Sequence, residues 1–174
     1  MAHIGMHVRP AVPGDIPLIR SLIRELADYE KAPEQAVATE QALHQHLFGD
    51  SWTGIAGRRG PVAECLIGEV DGVPEGFAVY FTNFSTWLGT PGIYLEDLFV
   101  RPAARGRGLG KALLQAVAAV AVSRGCGRMD WSVLDWNRPA IEFYESLGAT
   151  PMSEWTTYRV SGEALAGLAR GQGK

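Results

Sequence analysis

Apolar residues recur at Ile16, Ile19, Leu22, Ile23 and Leu26, the three-to-four spacing of one helix face. Gly14-Asp15 opens this helix with Asp15 as N-cap, and the helix runs to about Tyr29 and Glu30, short of Pro33. Residues 7–10 ahead of it predict a first edge strand. Thr39 caps a shorter helix with Leu43 and Leu47 on one face, and Gly49 ends it. The period then changes. Residues 63–70 and 76–81 read as strands, and Asp71-Gly72-Val73-Pro74 joins them as a hairpin turn. A polar loop follows over residues 82–92 with Trp87 at its centre, then a buried strand over 93–100. A glycine-rich turn at 105–110 opens a long Ala/Leu/Val helix that lasts to about Arg124 and stops at Gly125 to Gly127. Residues 128–134 predict another strand. Pro139 starts a helix through Tyr144 and Leu147, closed by Gly148. Residues 155–160 read as a last strand, and Ser161 caps a terminal helix. Helices thus alternate with a central mixed sheet, an α/β (α+β) layered architecture.

The chain has 174 residues, which predicts a single domain over 1–174. With 47% apolar and 20% charged residues it has an ordinary globular composition, which excludes a disordered, collagen-like or disulfide-scaffold chain. A net charge of −3 offers nothing that draws the whole chain onto nucleic acid or an anionic membrane. Two cysteines, Cys65 and Cys126, read as incidental thiols of a reducing compartment. The longest apolar run, 112–122, is broken by Gln115 and falls far short of the ~20 residues that span a bilayer. Arg9, Pro10 and Asp15 come too early for a secretory leader. The expected location is therefore cytoplasmic. His3 and His7 look incidental. His44 and His46 sit two apart, cannot share a helix face and lack partners for a metal set, so no metal is expected.

The informative stretch is Arg105-Gly106-Arg107-Gly108-Leu109-Gly110-Lys111, between a strand and a helix. Backbone N–H groups at a helix N-terminus attract an anion, and glycines let a phosphate approach the chain. A nucleotide P-loop needs glycine at Arg105 and Ser or Thr at Ala112. A dinucleotide turn needs its third glycine one residue later. What remains is Arg/Gln-x-x-Gly-x-Gly, matched by Arg105, Gly108 and Gly110. Downstream, Asn137, Ala140, Phe143, Tyr144 and Gly148 match a strand-ending Asn followed by Ala-x-x-Phe-Tyr-x-x-x-Gly. Together these resemble the GNAT acyltransferases, which bind coenzyme A. Gly76-Phe77-Ala78-Val79-Tyr80-Phe81, Trp87-Leu88-Gly89, Ile93-Tyr94-Leu95-Glu96-Asp97-Leu98-Phe99-Val100, Tyr29-Glu30 and Glu154-Trp155 resemble its diamine/polyamine N-acetyltransferase branch, which includes thialysine-acetylating relatives. The likeness covers about residues 8–160. Lys31 departs from the polyamine type, placing a cation where an acidic stretch would hold a polycation.

The resemblance implies the GNAT fold, a central mixed, mostly antiparallel sheet flanked by helices, with acetyl-CoA as cofactor. It places that cofactor against Leu98, Phe99, Val100, the turn Arg105, Gly106, Arg107, Gly108, Leu109, Gly110 and Lys111, and Asn137, Pro139, Ala140 and Tyr144. It also implies direct transfer without an acyl-enzyme on Cys126, and a homodimer. Chemically, a lysine-like amine is neutral in only about one molecule in 2,500 at pH 7, so transfer needs a base, and the departing sulfur needs an acid. Tyr144 is assigned the acid. Glu96 is assigned the base, through a water. Adjacent strand residues face opposite sides, so Glu96 and Asp97 are not expected to serve one site, and which of them faces it is left open. Tyr29, Glu30, Trp87, Glu96, Asp130, Trp131 and Glu154 are candidates for holding a small-molecule amine, the carboxylates by charge and Trp87 as an aromatic wall. A protein or peptide acetyltransferase, a non-catalytic acyl-CoA-binding domain and nucleic-acid binding through the Arg-rich turn are the alternatives.

Overall fold

The computed structural model describes residues 5–50, 52, 53, 57 and 59–171, and it divides into two compact units, Met1–Ser132 and Val133–Lys174. His3 lies outside the described residues. The first unit holds a five-stranded sheet in the order β1-β4-β5-β6-β7, built from β1 (Met6–Pro10), β4 (Glu64–Val70), β5 (Val73–Ser85), β6 (Thr90–Val100) and β7 (Met129–Trp131). Its pairings are antiparallel except the last, β6 with β7, which is parallel. This is the mixed α/β sheet expected, with β1 at one edge. A separate two-stranded ladder, β2 (Trp52–Thr53) with β3 (Arg59–Gly60), has no counterpart in the sequence reading.

Helix α1 (Ile16–Tyr29) buries Ile16, Ile19 and Leu22 against Cys65, Ile67, Phe77 and Phe99, with Ile23 and Leu26 packed at the margin. The apolar stripe thus meets one face of β4, β5 and β6. Asp15 stands at the N-cap of α1, but its carboxylate takes the Val12 N–H (2.8 Å) and the Arg9 guanidinium (2.7 and 2.9 Å). Helix α2 (Glu40–Leu47) is capped as expected, Thr39 Oγ1 accepting the Ala42 N–H. Helix α3 (Leu109–Ser123) buries Leu109, Leu113, Leu114 and Val117.

Gly68 and Gly76 are register partners in the β4–β5 ladder. A Cβ on Gly68 would meet Leu109 and Leu113 side chains at 3.0–3.2 Å, and one on Gly76 would meet the Phe99 carbonyl oxygen at 2.6 Å and Leu113 at 3.3 Å. The paired glycines leave the shallow seat on which α3 lies. That seat sets where the helix N-terminus points.

Several expected boundaries are corrected. The β4–β5 turn is Asp71-Gly72 alone, both at positive φ (51° and 79°), and Val73 already pairs with Val70. Two left-handed residues reverse the chain, which frees Val73 and Pro74 for the strand. The expected loop over 82–92 is mostly ladder: β5 runs to Ser85 and β6 starts at Thr90. Its polar residues reflect a ribbon end lying in solvent, where Phe84 is exposed. The strand expected over 128–134 shortens to Met129–Trp131.

The second unit contains α4 (Arg138–Ser146) and α5 (Gly162–Ala169). Gly148 at φ 89° closes α4, its N–H donating to the Glu145 carbonyl. Ser161 is the N-cap of α5 but makes no side-chain cap bond. Residues 155–160, expected as a strand, form no ladder, and all six are exposed. Their Trp, Thr, Tyr and Val content favours a pleated surface only where another strand completes it.

Candidate active site

Strand β6 carries an irregularity that organises the site. In its pairing with β5, Val79 lies opposite Asp97 while Tyr80 lies opposite Leu95, so Glu96 is an extra residue, a β-bulge. Hydrogen-bond direction gives the same result. The Ile93 N–H donates to Arg128 ahead of β7, whereas the Arg101 N–H donates to Glu75 beside β5. Positions an even number apart face the same edge in a regular strand, so these two opposite directions require one extra residue between them. Beyond the bulge, Leu98 and Val100 therefore turn their N–H groups toward the β7 side. There β7 has already ended, its last pair being Leu95 with Trp131. The result is a short stretch of exposed main-chain donors.

The bulge also exchanges faces. Gly76 lies beside Val100 and Leu113, on the α3 face, and alternation puts Ala78, Tyr80 and their partners Leu98 and Leu95 there too. Phe77, Val79, Phe99 and Asp97 take the α1 face. Asp97 is thus half-buried at the edge of the α1 cluster. Its carboxyl is pushed up to about 6, first by loss of hydration and then by the charges of Glu96 and Glu30. Burial also raises Glu30, at the C-cap of α1. The expectation that Glu96 and Asp97 cannot share a site fails at this point, because alternation is interrupted between them and each carboxylate feels the other. The only trace of this in the sequence is two adjacent acids in an apolar strand. Nothing there marks the bulge.

At the C-terminal end of β6, Pro102–Ala104 makes one 3-10 turn and leads into the glycine turn. Gly106 (φ 74°) and Gly108 (φ 95°, the N-cap of α3) both take the left-handed conformation, and a Cβ on Gly106 would meet nothing within 4 Å. Following them, the first-turn N–H groups of α3 have no partner within their own helix. Main-chain donors along β6 ending at an open, glycine-lined helix start fit an extended arm terminating in a pyrophosphate, the shape of coenzyme A. Leu98, Phe99 and Val100 lie along the arm's path. Arg105 through Lys111 form the anion end, with Leu109 buried and Lys111 exposed. The Arg105 guanidinium lies over the Tyr29 ring, Cζ 4.4 Å from its centroid, and Nε donates to the Val100 carbonyl at 2.8 Å.

The first unit thus gathers Tyr29, Glu30, Glu96, Phe99 and Arg105, and adds Asp97 and the bulge, which sequence reasoning missed. Asp130 is already held by Arg128 Nε (2.8 Å) and the Asn83 side-chain amide (3.3 Å). Trp131 beside it on β7 is half-buried. Trp87 is 87% exposed at the β5–β6 tip, about 20 Å along the strand from Asp97. In the second unit, Asn137 is buried and its carbonyl accepts the Ala140 and Ile141 N–H groups at the start of α4, with Pro139 in the first turn. Tyr144 is half-buried on α4, its ring centroid 5.2 Å from that of Phe143. Glu154 and Trp155 are exposed.

Comparison with known proteins identifies the constellation. The acetyltransferase (GNAT) family matches residues 22–149. The chain is 39% identical over 173 residues to a thialysine N-epsilon-acetyltransferase of Bos taurus, covering 93% of this chain and 96% of that one. It is 33% identical to an L-ornithine N5-acetyltransferase of Arabidopsis thaliana, covering 92% and 86%. Among solved structures, an integron cassette protein from the V. cholerae mobile metagenome superposes with a TM-score of 0.74 at 27% identity, covering 97% of this chain and 99% of that one. The chain belongs to the acetyltransferase (GNAT) family and is an N-acetyltransferase that uses acetyl-CoA.

Proposed function

We propose that the protein acetylates the primary amine of a small molecule, a diamine, polyamine or lysine-like amine, by direct attack within a ternary complex. The observation that carries this reading is the acidic group Glu30, Glu96 and Asp97 beside the open donor edge of β6. An ammonium entering there is attracted by carboxylates that repel one another, and its arrival lowers that repulsion. The names of the relatives, acetyltransferases of thialysine and ornithine, point the same way.

Bound acetyl-CoA supplies an acetyl thioester. The protein's own groups do the rest. Glu96, through a water, and Asp97 accept the proton that the ammonium must lose before it attacks. The Leu98 and Val100 N–H groups stabilise charge on the acyl oxygen. Tyr144 provides the proton for the departing sulfur, since a phenol near ~10 outlasts a thiol near ~8.5 as a proton reservoir. Asn137, Pro139 and Ala140 line the cofactor at the start of α4. Tyr29, Trp87, Asp130, Trp131 and Glu154 complete the amine side.

The family match runs through the junction of the two units and supports reading them as one domain. A homodimer in the cytoplasm completes the proposal. Exposed apolar side chains at the β5–β6 tip, Phe84, Trp87 and Leu88, support the dimer, and Cys65 and Cys126 as free thiols agree with a reducing compartment. Among the described residues no helix is long and apolar enough to cross a membrane.

The deciding assay is thiol release from acetyl-CoA against putrescine, spermidine, spermine, lysine, thialysine and a lysine peptide. Turnover with a free amine is expected. Turnover with the peptide alone would assign a protein acetyltransferase instead, and tight acetyl-CoA binding with no turnover would favour a non-catalytic domain. Tyr144→Phe should lower kcat at least tenfold while leaving acetyl-CoA affinity nearly intact, and an undiminished kcat removes Tyr144 as the acid.

A further inference from the structure

Arg105 opens the glycine turn, yet its side chain reaches the other half of the site. Its Cζ lies 4.4 Å from the centroid of Tyr29 and 5.7 Å from that of Phe99. Nε is anchored on the Val100 carbonyl at 2.8 Å. A single residue therefore joins the anion turn, the end of β6 and the end of α1. Tyr29 is the last residue of α1, and Glu30 follows it.

That helix end has an unusual build. The Lys31 N–H donates to Asp28 and the Ala32 N–H to Ala27, the paired bonds that close a helix around a left-handed residue. Lys31 occupies the left-handed position at φ 61°, a conformation in which glycine is the usual occupant. The segment carrying Tyr29 and Glu30 is consequently held by its surroundings more than by its own backbone preference.

We propose that Arg105 is a positioning residue that couples cofactor binding to the amine side of the site through its stack on Tyr29. Assigning Glu30 to the amine rests on the function proposed above, but the coupling itself does not. With Gly106 and Gly108 in it, the turn has several conformations open to it until an anion fixes the backbone. Fixing the backbone fixes the root of Arg105, and the Val100 carbonyl fixes its stem. The guanidinium then restricts the Tyr29 ring, and the end of α1 opens less often. Reciprocity requires that an ordered α1 end favour the ordered turn by the same factor.

Coenzyme A alone is a sufficient probe. Amide hydrogen exchange at Lys31 and Ala32 would be followed by NMR in the full chain, with and without saturating coenzyme A. The set is wild type, Tyr29→Phe, Tyr29→Leu and Arg105→Gln, the last a residue the turn motif itself accepts. Calorimetric titration establishes saturation for each. Coenzyme A should slow both amides about fivefold in wild type and in Tyr29→Phe, which keeps the aromatic face, and by less than about twofold in Tyr29→Leu and Arg105→Gln. Equal slowing in wild type and Tyr29→Leu, or none in wild type, overturns the proposal. A variant that is merely loosened exchanges faster with and without ligand at an unchanged ratio, and that result also counts against coupling. No amine takes part, so failure of the proposed substrate class appears only in the thiol-release assay.

Discussion

A carboxyl at the edge of an apolar cluster resists ionisation, and Asp97 shows this most clearly in the chain. Its value of about 6 lies above that of an unfolded aspartate near 3.8. Below about pH 4 both states are protonated and the group has no effect on stability. Between about 4 and 6 the unfolded chain releases its proton first, so the folded state loses ground, and above 6 the loss is constant. Asp97→Asn should therefore match wild type in urea unfolding at pH 4 and exceed it by on the order of 2 kcal/mol at pH 8. The same variant should lose the limb of the kcat/KM profile that rises through about pH 6, which separates a proton-accepting role from a packing one. An acidic pair in an apolar strand was legible in the sequence as a chemical signal. Which acid is desolvated was not, because that depends on a bulge with no residue signature. Asp130 was legible as an acid, but its capture by Arg128 and Asn83 depends on a pairing across strands that spacing does not reveal.

At the scale of elements, α3 and its glycine seat decide where the anion turn points. Gly76→Ala places a methyl against the Phe99 carbonyl oxygen, a backbone atom that cannot step aside, whereas Gly68→Ala meets only leucine side-chain atoms. The first should cost about 2–3 kcal/mol and weaken coenzyme A binding as α3 is displaced. The second should cost less than about 1 kcal/mol. Thermal unfolding and calorimetric titration of the two variants check both. The helices were the readable elements, since α1, α2, α3 and α4 each combine periodic apolar positions with a cap or a stop. The β5–β6 ribbon was misread as a loop because polarity there reflects exposure to water and not the absence of a ladder. Residues 155–160 failed in the opposite sense, with strand composition but no partner strand.

For the whole molecule, fold class and family followed from motif order, which a 174-residue chain displays in full. The division at residues 132 and 133 was not legible, because no change of composition marks it. One extra residue, Glu96, has a consequence that reaches beyond its own chemistry. It acts as a phase shift: everything before it in β6 is written in one frame and everything after it in the other. Deleting Glu96 would put the second half of the strand back in step, aiming Asp97 and Phe99 at α3 and turning the Leu98 and Val100 donors into the ladder with β5. Such a protein would have a more regular sheet and an almost unchanged composition, yet it should neither bind coenzyme A nor keep its core. Inserting one residue between Asp97 and Val100 in the deletion variant should recover part of both. Strand length in this molecule is a counted quantity, and a redesign that preserves every side chain but miscounts by one would lose the enzyme.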